Sequence, residues 1–280
     1  MIRRVLGWGA VAVLVGFVLF AVGWRLDGGR WVRVETPSMG TVAPVGTLLW
    51  VTPVDAATLR PGDFITFHPP GSTATYSHRV ESVGADGTLT TRGVLTAVDP
   101  WRISPADVVG EVRMRWPGMG WAVAGAPLLL VGGCVVMAVR ALLARRWRTP
   151  VTLVLAAVVL AVTLIWLQPL IGAQRLAFAA DPAGGATASY VGTGLLPVRL
   201  HALGGASVVL HPGEVGSVHV PRTDGEAYRV RLSAGLPRWW WLVLVLVCFV
   251  PALSRLLVGS EGEIPSPRVE SRHRSPGAAR

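Results

Sequence analysis

The sequence predicts a membrane protein of four transmembrane helices that carries an all-β extracytoplasmic domain and a second, smaller β-sandwich-like outer domain. Three observations predict it. Of the 280 residues, 51% are apolar and only 15% charged, a composition too oily for an ordinary soluble protein. The apolar residues gather in four runs, each near the roughly 20 residues that a bilayer core of about 30 Å asks of a helix. After the first and the third run the composition shifts to β-forming residues punctuated by Gly, Pro, Asp and Thr.

The elements follow in chain order. Residues 1–4, with Arg3 and Arg4, form a cytoplasmic N-terminus. The apolar run 5–26 is too long for a signal-peptide core of about 7–15 residues and lacks a small-residue exit, so it is expected to be a retained anchor. Residues 27–119 then form a β domain, with strands expected at 31–34, 47–52, 64–68, 75–83, 88–92 and 108–116. The turn signals between them are Pro61-Gly62-Asp63, Pro69-Pro70-Gly71, Asp86-Gly87 and Asp99-Pro100. A second span at 120–143 and a third at 151–170 flank a basic cytoplasmic loop, 144–150. A second outer β domain is expected at 171–238, with β-type alternation at 207–210, 217–220 and 228–232. The fourth span covers 239–258, its Trp239-Trp240-Trp241 run serving as an interfacial aromatic anchor, and residues 259–280 read as a disordered cytoplasmic tail.

Arginine placement sets the expected orientation, because positively charged flanks stay on the cytoplasmic side. Arg3 and Arg4 lie before the first span, and Arg140, Arg145, Arg146 and Arg148 crowd the connection between the second and third. Arg255, near the end of the fourth, and Arg268, Arg272, Arg274 and Arg280 after it stand against three glutamates. The segment 27–119 is nearly balanced, with eight arginines and nine acids. Both ends are therefore expected inside and both β domains outside, in a multi-pass protein of the plasma membrane in contact with the lipid bilayer.

Composition also excludes functions. The chain contains no lysine, which removes Walker-type phosphate loops, Schiff-base enzymes and Ser-Lys hydrolases. The spans hold almost no ionisable groups, Gln168 being the most polar side chain of the third, which argues against a transporter or pump. The net charge of +10 is spread by topology and forms no basic patch on an outer domain, so no nucleic-acid partner is expected. Cys134 and Cys248 lie inside apolar runs and read as packing residues. His201, His211 and His219 lack zinc-site spacing and have no cysteine partners, so no metal and no cofactor are expected.

The chemistry therefore falls to the first outer domain, whose reactive residues include Ser38, Asp63, His68, His78 and Asp99. Ser38 lies about a dozen residues beyond the first span, in Thr36-Pro37-Ser38-Met39-Gly40-Thr41-Val42-Ala43-Pro44-Val45-Gly46. A serine in such a loop is, taken alone, a turn residue. A serine hydroxyl becomes a nucleophile when a neighbour takes its proton, and an imidazole, with an ordinary pKa of about 6.5, is mostly neutral at pH 7 and able to do so. His78 is the candidate base; His68, at a strand end before Pro69-Pro70, reads as a surface residue. Asp99 is either the carboxylate that orients the imidazole or an Asp-Pro turn initiator. Met39, Val42, Trp50 and Trp116 either line shallow pockets near the serine or are plain core, and core is favoured for Trp50.

The segment around Ser38 resembles the first box of the signal peptidase I family, in which a catalytic serine followed by methionine lies just beyond an anchor, ahead of a Pro-Val-Gly turn. Leu59-Arg60-Pro61-Gly62-Asp63-Phe64-Ile65-Thr66-Phe67 resembles its Gly-Asp strand box, and Tyr76-Ser77-His78-Arg79-Val80 the box that holds histidine in the archaeal and endoplasmic-reticulum-type branch. Thr91-Arg92-Gly93 leading to Asp99-Pro100, then Val108-Val109-Gly110 and Trp116-Pro117-Gly118, complete a resemblance that covers residues 1–140. It departs from the family at Val94-Leu95, where an Asp-Asn pair is usual, and at Thr41, where a proline is usual.

The resemblance implies a membrane-bound serine endopeptidase that cleaves signal peptides from exported preproteins by Ser-His acyl-enzyme catalysis. Ser38, His78 and Asp99 are then the catalytic residues, and Thr36 and Met39 oxyanion and substrate-positioning residues. The departures leave a second expectation, a catalytically weak relative acting as a binding or assembly factor for secreted substrates. The second outer domain is expected to dock substrates or a secretion-machinery partner.

Overall fold

The computed structural model describes residues 2–180, 185–202, 204–221 and 230–237, together with 239, 240, 242, 243 and 246. The chain divides into two compact units, Met1–Gly235 and Leu236–Arg280. Most of the second unit, including the tail 259–280 and most of the expected fourth span, lies outside the described residues. Within it the rings of Trp239 and Trp240 stack, with centroids 5.2 Å apart.

The first unit opens on α1, Ile2–Leu26, a single helix of 25 residues. Six strands follow: β1 Arg30–Arg33, β2 Leu48–Thr52, β3 Phe64–Phe67, β4 Tyr76–Val83, β5 Leu89–Arg92 and β6 Val108–Trp116. They form one antiparallel sheet in the order β1-β2-β6-β3-β4-β5. All six coincide with the strands expected from the sequence to within a residue or two at each end, because turn residues bound each one and side chains alternate along the exposed ones. In β4, for example, His78 and Val80 point inward while Arg79 and Glu81 point out.

Two apolar clusters hold this sheet. One gathers Val34, Met39, Ala43, Leu49, Val51 and Phe64; the other gathers Leu59, Ile65, Phe67, Val80, Leu89 and Ile103. β3 contributes to both, and its four residues are all buried. Trp50 is only 6% exposed and lies against Phe20 and Trp24 of α1, Trp31 of β1 and Trp116 of β6, with ring centroids 4.7–5.6 Å apart. Trp50 is thus core, and it joins α1 to the sheet.

Two helices, α2 (Met119–Leu142) and α3 (Arg145–Leu167), are long and apolar enough to cross a membrane. They pack as a hairpin in which Gly132 lets the helices approach: a Cβ there would lie 2.3 Å from Val159 Cγ1. Their outer faces are apolar, with Leu130 and Ile165 at 70% and 72% exposure. Cys134 is a free, exposed thiol on α2. The segment 144–150 differs from the expected loop. The helix begins at Arg145, so the basic residues form its first turn and Pro150 is accommodated inside it. Gln168 likewise lies past the helix, as a left-handed cap whose N–H donates to Leu164 O.

A second β region follows: β7 Ala173–Ala180, β8 Ala186–Gly192, β9 Val198–Ala202, β10 Ser207–Leu210, β11 Val215–Val220 and β12 Val230–Ala234. Two three-stranded sheets, β10-β9-β12 and β11-β8-β7, enclose a core of Val198, Leu200, Ala202, Leu210, Val218 and Val220. This is the expected sandwich-like arrangement. Of its last expected strand, 228–232, residues 228 and 229 lie outside the described residues, and the strand is seen over Val230–Ala234.

Candidate active site

Ser38 sits on a 3₁₀ turn, Pro37–Val42, that Pro37 starts and Gly40 breaks with φ 51° and ψ −134°. The turn is held from three sides. Met39 is buried in the first apolar cluster, the Leu95 N–H donates to Ser38 O at 2.8 Å, and Arg115 donates to Val42 O at 3.0 Å. Ser38 itself is half-buried.

His78 comes from β4, where it pairs with Ile65 of β3 and is 4% exposed. Its ring lies near the edges of Phe67 and Tyr76, centroids 6.3 and 6.2 Å away. The Ser38 hydroxyl donates to His78 Nε2 at 2.9 Å, and His78 Nδ1–H donates to Asp99 Oδ2 at 2.7 Å. A carboxylate only accepts, so Asp99 keeps the proton on Nδ1 and leaves the Nε2 lone pair facing the serine.

Asp99 is delivered by the segment that runs along β5, where its N–H donates to Thr91 O at 2.8 Å. The Thr91 hydroxyl donates to the same Oδ2 at 2.6 Å. Thr91 is fully buried and pairs with Val80, two residues beyond His78, so the β4–β5 register sets the distance between imidazole and carboxylate. The His78 and Asp99 side chains are 5% and 9% exposed, an ion pair shielded from water once the imidazole is protonated. Thr91 is the site residue that sequence reasoning passed over; its signal is the inward position in β5, where Leu89 and Thr91 are buried and Arg92 is not.

Gly93 explains the next step of the chain. A Cβ at this position would lie 2.9 Å from Ser38 O and 3.2 Å from His78 Nε2, so only glycine lets the backbone pass the pair so closely. Of the residues that depart from the resembled pattern, Leu95 touches this cluster, packing on Gly40 and donating its N–H to Ser38 O, and the other two are exposed. Val94 is 47% exposed, and Thr41 is exposed on the far end of the 3₁₀ turn.

A cleft of about 560 Å³ opens at the serine, between the β1 segment Trp31–Glu35 and residues 74–78. Ser38, His78, Thr36 and Met39 all line it. Thr36 Oγ1 lies 3.4 Å from Ser38 Oγ, which puts a second hydroxyl beside that of Ser38. Ser38, as the second residue of its turn, has no carbonyl one turn earlier to accept its N–H. Of the four apolar residues considered for the pocket, Met39 lines it, while Val42 packs against the first apolar cluster and Trp116 against Trp50; Trp31 and Tyr76 line it instead.

The remaining histidines among the described residues lie apart from this cluster. The His68 Nδ1–H donates to Ala74 O, 3.1 Å away, and bridges the loop at the cleft's edge. His201 and His219 are exposed on different sheets of the second β region, and His211 pairs with Glu214 at 2.9 Å. Among the described residues no group of three or more His, Cys, Asp or Glu side chains is placed to hold a metal.

Family models searched with this chain gave no match, and neither did the curated proteins.

Proposed function

We propose that the chain is a membrane-anchored serine endopeptidase of the signal peptidase type, with Ser38 as nucleophile, His78 as general base and Asp99 as the orienting carboxylate. The observation that carries this reading is the unbroken hydrogen-bond chain from Ser38 through His78 to Asp99 at the wall of an open cleft. A serine that only turned the chain would not need an imidazole and a carboxylate aligned behind it.

In the proposed reaction Ser38 Oγ attacks the scissile carbonyl while its proton passes to His78 Nε2. Asp99 stabilises the imidazolium that forms, with the Thr91 hydroxyl fixing the carboxylate. The negative oxygen of the tetrahedral intermediate is met by the Ser38 amide and the Thr36 hydroxyl, donors of the kind worth about 3 kcal/mol each in an acyl-transfer site. His78 then returns the proton to the leaving amine, an ester to Ser38 remains, and a water activated by the same imidazole hydrolyses it. A chain without lysine has no Ser-Lys route to this chemistry.

The substrate class comes from the resemblance: exported preproteins with small residues before the cut, presented as an extended segment in the cleft beside edge strand β1. α1 is read as the retained anchor, joined by α2, α3 and the 239–258 span in a four-span plasma-membrane topology with both β domains outside. A nucleophile about a dozen residues past α1 then meets a precursor where it leaves the bilayer. The alternative of a catalytically weak binding or assembly factor is disfavoured by the 2.9 Å Ser38–His78 contact and by the exposed positions of Val94 and Thr41.

The test is cleavage of membrane-inserted precursors by the reconstituted full-length chain and by Ser38→Ala and His78→Ala. The reading expects cleavage by the unmodified chain and a loss of at least about 10³-fold in either variant. Precursor binding without cleavage by the unmodified chain would favour the binding factor.

A further inference from the structure

The second β region reaches back to the nucleophile. Its β10–β11 turn is pinned to β8: Gly213 N–H donates to Gly192 O at 2.7 Å, and Gly192 N–H donates to Glu214 O at 3.0 Å. Glu214 Oε2 accepts the His211 N–H at 2.9 Å and closes the turn. At the tip, Gly213 is buried, with φ 77°, against the back of the turn that carries Ser38. A Cβ at 213 would lie 2.3 Å from Gly40 O, 2.5 Å from Gly40 C and 2.7 Å from Thr41 N.

Gly40 is packed on another side by Leu95, whose Cγ would lie 3.2 Å from a Cβ at 40 and whose N–H is the donor to Ser38 O. Gly40, two residues past the nucleophile, is therefore gripped between Leu95 and Gly213. It is also where the 3₁₀ turn breaks, in a backbone conformation with little intrinsic preference to hold it. A second contact steadies the arrangement, with Leu195 Cδ2 only 2.9 Å from the Cβ position of Gly118 at the start of α2. Among the described residues, the cleft is lined by 31–36, 38, 39 and 74–78 and by nothing from the second β region. The contact thus acts from behind Ser38 and not on the substrate.

We propose that the second β region is a built-in positioning element for the nucleophile, with Gly213 as the residue that holds the Ser38 turn in register with His78. The inference rests on the Ser-His reading above, and Gly213 acts through Ser38 without touching substrate. A displacement of about 1 Å at a nucleophile costs about 10²-fold in rate, so a side chain at 213 lowers kcat while leaving the cleft and KM intact.

The test compares Gly213→Asn with Gly204→Asn in the full-length reconstituted chain. Both glycines have positive φ, 77° and 75°, in the same β region, but a Cβ at 204 meets only Pro221 Cγ at 3.6 Å. Asparagine tolerates that backbone conformation, so the pair separates strain from contact. The expected result is a kcat for precursor cleavage lower by about 10²-fold in Gly213→Asn with KM within about twofold, and near-unchanged kinetics in Gly204→Asn. Hydrogen exchange of the residue 38–42 amides, faster in Gly213→Asn alone, gives a second readout, and the smaller Gly213→Ala serves if the asparagine variant fails to fold. Equal kinetics and equal exchange in the two variants overturn the inference and leave the Ser-His reading standing. No cleavage by the unmodified chain overturns that reading, and the inference with it.

Discussion

Ser38 Oγ and His78 Nε2 stand 2.9 Å apart although 40 positions separate them in the chain. The contact joins a short 3₁₀ turn to the middle of a sheet, and each side is fixed by its own packing: Met39 in the apolar core below the turn, Val80 and Ile65 beside the imidazole. The pair is therefore pre-aligned, and its consequences can be measured residue by residue.

Asp99→Asn replaces an acceptor by a group that no longer fixes the Nδ1 proton, and kcat is expected to fall by about 10⁴-fold with little change in KM. Thr91→Val removes only one hydrogen bond to Asp99 Oδ2 and is expected to lower kcat by about tenfold, the equivalent of about 1.4 kcal/mol. Steady-state kinetics on one precursor checks both, and a Thr91→Ser variant should restore most of the loss.

Gly93→Ala drives a methyl group toward Ser38 O and His78 Nε2, so kcat is expected to drop by about 10²-fold. Val94→Asp, one residue further and exposed, is expected to stay within about twofold of the unmodified rate. If Val94→Asp instead raised the rate many-fold, the acid missing at this position would have a role that the Asp99 geometry does not account for.

The Glu214 carboxyl is held below its usual 4.5, first by the His211 backbone N–H and then by the His211 ring. A carboxylate with a lowered folded value contributes stability that is fully present above its unfolded value and is lost as pH falls through the folded one. Glu214→Gln is therefore expected to melt below the unmodified chain at pH 6, with the gap closing as pH falls below about 4.5. Thermal melts of the two proteins across that range check the sign.

Trp50→Ala empties the centre of a five-ring cluster and is expected to destabilise the first unit by about 3–5 kcal/mol, with α1 losing its contact to the sheet. Chemical unfolding in bilayers or detergent measures the loss. Trp50→Phe should recover part of it.

Much of this was legible in the residues themselves. The six strands of the first sheet are bounded by Pro-Gly-Asp, Pro-Pro-Gly and Asp-Gly turns, and the serine, histidine and aspartate stand in recognisable contexts. β7 and β8 were not, because Ala-Gln-Arg-Leu-Ala-Phe-Ala-Ala and Ala-Thr-Ala-Ser-Tyr-Val-Gly are rich in small residues with weak strand preference, and β7 is exposed along almost its whole length. β9 does alternate, Val198, Leu200 and Ala202 in and Arg199 and His201 out, but over only five residues. The start of α3 was obscured by Pro150, which reads as a boundary yet sits inside the helix near its N-terminus, where few backbone bonds are lost. Thr91 and Gly213 act through pairings that no local pattern encodes: one through the β4–β5 register, the other across 173 positions to Gly40.

The central claim, that Ser38 is the nucleophile of a Ser-His-Asp peptidase, is tested most directly by acid-quenching precursor cleavage before steady state and mapping the chain by mass spectrometry. The account predicts the amino-terminal fragment of the precursor joined as an ester to Ser38, absent from Ser38→Ala, and formed at least about 10³-fold more slowly by His78→Ala. Cleavage of the same precursor at equal rates by the unmodified chain and by Ser38→Ala would contradict it.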